Sequence, residues 1–149
     1  MQNLLLVEYL ETTQLSAMGT KKVLVIDDEP AVRTIVQCCL EDIAGWEVIP
    51  AESGQEGLMQ AIAQSPDAIV LDMMMPGMDG LTFLKELRAK PDLPPIPVVV
   101  LSAKSNLTAS PIFEELGVAG AISKPFDALS VCDRIAEFLG WTIDSSALS

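Results

Sequence analysis

The runs VLVI (23–26), AIVL (68–71) and VVVL (98–101) contain no polar side chain, and each ends on a polar one: Asp27, Asp72 and Ser102. A strand with one wet face alternates apolar and polar residues, so an unbroken run marks a strand covered on both faces. WEVIPA (46–51) and GAIS (120–123) read as two further strands of the same kind. Helical periods separate them. Pro30 opens the first helix, with Val32, Ile35, Val36, Cys39, Leu40 and Ile43 on one face and Gly45 at its end. Pro suits a first helical position, where its missing N–H has no partner to lose. A second helix starts at Ser53 or Gly54 and runs to about Gln64; a third spans 80–89, with Leu81, Leu84 and Leu87 inward. Asp127 caps the last, with Leu129, Cys132, Ile135, Ala136 and Leu139 inward. Covered strands joined through helices make a doubly wound α/β sheet of about five parallel strands.

The chain has 149 residues, half of them hydrophobic, which fits one domain with a sizeable core. Its 21 acidic and 9 basic residues give a net charge of −12. Such a surface repels a phosphate backbone, so direct nucleic-acid binding is not expected. No stretch reaches the roughly 18 apolar residues of a membrane span. Residues 1–14 lack the basic start of a signal peptide, and Glu8 interrupts their apolar run. Cys38, Cys39 and Cys132 read as buried thiols in a reducing compartment. The expected location is cytoplasmic.

In open α/β sheets ligands bind beyond the carboxyl ends of the strands. Asp27, Asp28, Asp72, Ser102, Ser123 and Lys124 all fall there. An Asp after a strand is most often a cap or a turn residue. Three carboxylates, two hydroxyls and an amine at one edge need another reason. Two unit charges about 4 Å apart repel by roughly 4 kcal/mol at an effective dielectric of 20, so this crevice is costly without a cation. Carboxylates, a carbonyl and waters suit Mg2+. Metal, lysine and a hydroxyl around one free carboxylate form a pocket for a phosphoryl group.

VLVIDDEP, IVLDMMMPGMDG, VVVLSA and GAISKPF, in this order and spacing, resemble the receiver domain of bacterial response regulators, the CheY-like family. The resemblance covers about residues 21–139. It implies a flavodoxin-like fold with strand order 2-1-3-4-5. It implies Asp72 as phospho-acceptor, taking its phosphoryl group from a sensor histidine kinase or phosphotransfer protein and signalling to an unknown downstream protein. Asp28 and Asp72 match direct Mg2+ ligands, Asp27 a nearby acid acting through water, and the backbone carbonyl of Met74 the remaining protein ligand. Ser102 matches the switch hydroxyl and Lys124 the phosphate-pairing lysine. Lys124-Pro125 matches a cis peptide. Met73, Met74 and Met75 are expected to pack beside the site.

The expected layout is a peripheral or disordered extension over 1–20, a receiver over 21–141 and a short tail over 142–149. A degenerate receiver, binding partners without phosphorylation, is the alternative function, but every reactive residue type is present. An independent aspartyl phosphatase would need a general acid and a substrate cap. Met74, two residues past Asp72, cannot transfer a proton, and the sequence offers no cap domain. Catalysis is therefore expected only on the chain itself: phosphorylation and slow dephosphorylation. Two departures from the family stand out. Ala121 occupies a position where the family carries a switching aromatic. Pro111 shortens the fourth helix to 111–116 with Ser110 as N-cap, leaving a long loop over 104–109, which phosphorylation is expected to order.

Overall fold

The computed structural model describes residues 20–103 and 111–143. Its elements are β1 (Lys22–Ile26), α1 (Pro30–Asp42), β2 (Glu47–Ala51), α2 (Gly54–Gln64), β3 (Ala68–Asp72), α3 (Gly80–Arg88), β4 (Val98–Ser102), α4 (Pro111–Glu115), β5 (Val118–Ser123) and α5 (Ala128–Leu139). All strand pairs are parallel, in the order β2-β1-β3-β4-β5. The fold is the flavodoxin-like one that the resemblance implies.

Successive side chains of a strand point to opposite faces, and the interior strands divide their apolar residues accordingly. Leu24, Ile26, Ile69, Leu71, Val98 and Val100 pack under α2, α3 and α4, around Leu58, Phe83 and Phe113. Val23, Val25, Val70, Val99 and Leu101 pack under α1 and α5, around Val36, Leu40, Val131 and Ile135. Trp141 and Ile143 pack against this second cluster, and the Trp141 and Trp46 rings meet edge-to-face with centroids 5.1 Å apart.

Several expectations are corrected. β2 and β5 are edge strands and only partly buried: Ala51 in β2 and Gly120 and Ile122 in β5 are their buried residues. The edge also accommodates Pro50, which needs no ladder partner on its open side. Leu129 is 72% exposed. It sits in the first turn of α5, beyond the end of β5, where no strand residue covers it; Val131 takes its place in the core. Ile35, 43% exposed, flanks the buried stripe of α1 and lines a groove with Val32, Pro125 and Phe126. Cys38 is exposed while Cys39 and Cys132 are buried. Ser53 caps α2 by accepting from the Glu56 N–H, and Asp127 caps α5 by accepting from Leu129. Residues 1–19 of the expected 1–20 extension, the loop at 104–109, the Ser110 cap and residues 144–149 of the expected 142–149 tail lie outside the described residues.

Candidate functional site

Parallel register brings the strand ends level. Ile26 pairs with Leu71, Asp72 with Leu101, and Ser102 with Ser123. The ladder continues one step past the strands: Asp27 N–H donates to Ala51 O, Met73 N–H to Leu101 O, and Lys124 N–H to Ser102 O. Asp27, Asp72 and Ser102 therefore share one edge, and they are the fully buried polar residues among those described. A core that buries polar groups at one edge alone has a use for them there.

Lys124 spans the cluster. Its Nζ lies 3.2 Å from Asp27 Oδ2, 3.3 Å from Asp72 Oδ1 and 3.8 Å from Glu29 Oε1. Asp27 Oδ1 accepts from the Glu29 N–H at 2.9 Å, and Asp72 Oδ1 from the Met74 N–H at 3.1 Å. Arg33 donates to the Asp27 carbonyl at 2.7 Å, fixing α1 to the end of β1. Lys124-Pro125 is cis, as the resemblance implies.

Burial pushes the Asp72 carboxyl up to about 6, and Asp27 adds repulsion; the Met74 N–H and Lys124 pull against them. Burial disfavours the Lys124 charge, but Asp27 and Asp72 outweigh it and hold the ammonium above its ordinary value. Asp72 Oδ2 and Asp28 Oδ1 are buried and have no hydrogen-bond partner. A carboxylate oxygen hidden from water and given no donor is costly, and a cation is the simplest remedy. The donors are all oxygens, which fits a hard divalent ion.

The structure brings Asp27, Glu29 and Asp72 together, with one carboxylate oxygen of each within 4.8 Å of the others. Asp28 is half-buried and falls outside that cluster. Glu29 was not singled out from the sequence; its only signal there is that it follows Asp27 and Asp28. The methionines divide: Met73 and Met75 are buried, but the Met74 side chain is 64% exposed and does not pack beside the site as expected. Its neighbours explain this, since the Met74 N–H turns inward to Asp72 while Met73 lies against Gly80. A Cβ on Gly80 would stand 2.8 Å from Met73 Cα, so the close approach of α3 to the end of β3 requires glycine. Ala121 is half-buried on β5 and pairs with Val100.

A doubly wound sheet with buried carboxylates and a bridging lysine at its carboxyl edge is the arrangement that the receiver-domain resemblance implies. Residues 23–136 match the family model for the response regulator receiver domain, and the chain belongs to that family. It is 38% identical over 119 residues to the alkaline phosphatase synthesis transcriptional regulatory protein PhoP of Bacillus subtilis, a match that covers 80% of this chain and 48% of that protein. It is 38% identical over 104 residues to the KDP operon transcriptional regulatory protein KdpE of Escherichia coli, covering 70% of this chain and 44% of that one. The chain thus spans about half the length of these relatives. Among solved structures, the chemotaxis response regulator CheY4 of Vibrio cholerae superposes with a TM-score of 0.73 at 29% identity, covering 80% of this chain and 98% of that one. As a receiver domain the chain is a component of two-component signal transduction. No helix among the described residues is long and apolar enough to cross a membrane.

Proposed function

We propose that Asp72 is the phospho-acceptor of this receiver and that Mg2+ in the acidic pocket is required for the transfer. The observation that carries the reading is Asp72 itself: buried, held at Oδ1 by Lys124 and the Met74 N–H, with Oδ2 left unpartnered. One oxygen is anchored, and the other carries no hydrogen bond that would compete with its attack on phosphorus. The attack forms an O–P bond as the P–N bond of a phosphohistidine on a partner kinase or phosphotransfer protein breaks. The ring nitrogen keeps the bonding pair and leaves as neutral imidazole when the other ring nitrogen carries a proton. Bound among Asp27, Asp28, Asp72 and the Met74 carbonyl, the metal would supply positive charge to the phosphoryl oxygens. Lys124 moves from carboxylate to phosphoryl oxygen, and Ser102 donates its hydroxyl to another.

The receiver proper is assigned to residues 21–141, so a chain beginning at Met18 should fold and accept phosphate. Turnover is confined to the chain's own phosphorylation and slow dephosphorylation. The charge of −12 argues against direct contact between this chain and nucleic acid. With acetyl phosphate and Mg2+, intact mass should show one added phosphoryl group, lost in Asp72→Asn and in EDTA. Equal labelling of Asp72→Asn would remove Asp72 as acceptor.

A further inference from the structure

Glu29 is the carboxylate of the cluster that the receiver resemblance leaves without a role. It stands directly before Pro30, the first residue of α1, and its N–H is tied to Asp27 Oδ1 at 2.9 Å. That bond fixes the backbone from which its side chain departs. The side chain is 61% exposed, yet Oε1 comes within 3.8 Å of Lys124 Nζ, and the carboxylate reaches the cluster with Asp27 and Asp72. Glu29 is therefore a rim acid leaning over a buried pocket.

An independent observation shows what the pocket lacks. Asp72 Oδ2 is buried and unpartnered, and so is Asp28 Oδ1. Lys124 is already shared between Asp72 Oδ1 and Asp27 Oδ2, so it meets neither need. The pocket asks for a second cation, and Glu29 is the acid at its solvent side.

We propose that Glu29 is a fourth carboxylate of the cation pocket, drawing the divalent ion in and holding it through its water shell. The proposal rests on the reading of this edge as a Mg2+ site. Mg2+ keeps several of its waters when protein-bound, and those waters donate to carboxylates beyond the direct ligands. A long, exposed side chain at the rim suits that task better than direct ligation, which would strip water from both partners.

The rival explanation is that Glu29 acts only on Lys124. A double-mutant cycle separates the two. Mg2+ affinity is measured by calorimetry and by the Mg2+-induced rise in melting temperature, both without phosphate. At bulk-water dielectric, one negative charge about 6 Å from a divalent ion contributes about tenfold in affinity. Glu29→Gln should therefore weaken Mg2+ binding by about tenfold at low ionic strength, and by less in high salt. Glu29→Asp should fall between the two. The same factor should appear in a Lys124→Met background. Unchanged affinity in Glu29→Gln would overturn the proposal, as would loss of the effect when Lys124 is absent. If the wild-type protein bound no Mg2+, the cation reading of the whole edge would fall, and Glu29's role with it.

Discussion

Lys124 Nζ and Asp72 Oδ1 lie 3.3 Å apart although they follow from strands that do not touch, β5 and β3, with β4 between them. The lysine reaches across the carboxyl end of β4 and over Ser102 to meet two buried acids. This single bridge offsets part of the repulsion between the two buried acids. Asp27 and Asp72 are buried beside one another, and one ammonium is shared between them.

The sharing is incomplete, and pH should reveal it. The Asp72 carboxyl is raised from 3.8 to about 6, chiefly by burial. Between those values the folded protein holds a proton that the unfolded chain has released. Stability therefore falls as pH rises from about 4 to about 6 and this contribution is flat above. Lys124 is also raised, so its contribution is lost only on the alkaline side and is constant throughout this range. In EDTA, the stability difference between Asp72→Asn and wild type should grow by on the order of 2 kcal/mol across that window. Urea midpoints at a series of pH values measure it, and a difference independent of pH would contradict the account.

Removing Asp28 should relieve a separate cost, that of a buried carboxylate oxygen without a donor. Asp28 is half-buried with Oδ1 unpartnered. In metal-free buffer Asp28→Ala should melt about 3 °C higher than wild type. Mg2+ should raise the melting temperature of wild type by linkage and that of the variant much less. A variant less stable than wild type in EDTA would show that Asp28 makes contacts of its own.

At the opposite end of the sheet, Arg88 closes α3 against the starts of β4 and β5. Its Nε donates to Leu116 O at 2.7 Å and its Nη2 to Ile96 O at 2.6 Å, with Gly117 O at 3.4 Å. Burial lowers its basicity, yet the planar fork still meets acceptors that a lysine could reach only one at a time. Arg88→Ala should cost about 2–3 kcal/mol in chemical denaturation, and Arg88→Lys should recover less than half. Phosphorylation of the folded variants should match wild type. A slowed reaction would link this clamp to the site.

The thiols offer a chemical check on the packing of α1 against α5. Cys39 donates its S–H to Ala128 O at 3.0 Å, and burial raises its thiol. Burial pushes the Cys132 thiol up to about 11. Iodoacetamide at neutral pH should modify Cys38 alone in the native protein and all three in urea, read by peptide mass. Native labelling at Cys132 would mean that the two helices separate readily.

Residues near in sequence carried most of the architecture. β1, β3 and β4 were legible because an unbroken apolar run and the polar residue ending it are local signals, and a parallel sheet puts every such ending at one edge. Asp27, Asp72, Ser102 and Lys124 were found this way. The caps at Ser53 and Asp127 were equally local, since each satisfies an N–H within three residues. Tertiary structure decided what depends on neighbours far along the chain. The edge positions of β2 and β5 set their exposure; Leu129, in the first turn of α5, is left in water, and Cys38 lies on the outer face of α1 between buried Val36 and Cys39. The Arg88 clamp joins carbonyls from two later segments, and Glu29 becomes part of the pocket only when β3 and Lys124 come up beside it. Local pattern determined which residues would stand at the sheet's edge; only the three-dimensional packing, which fixes distance and access to water, decided which of them would face one another.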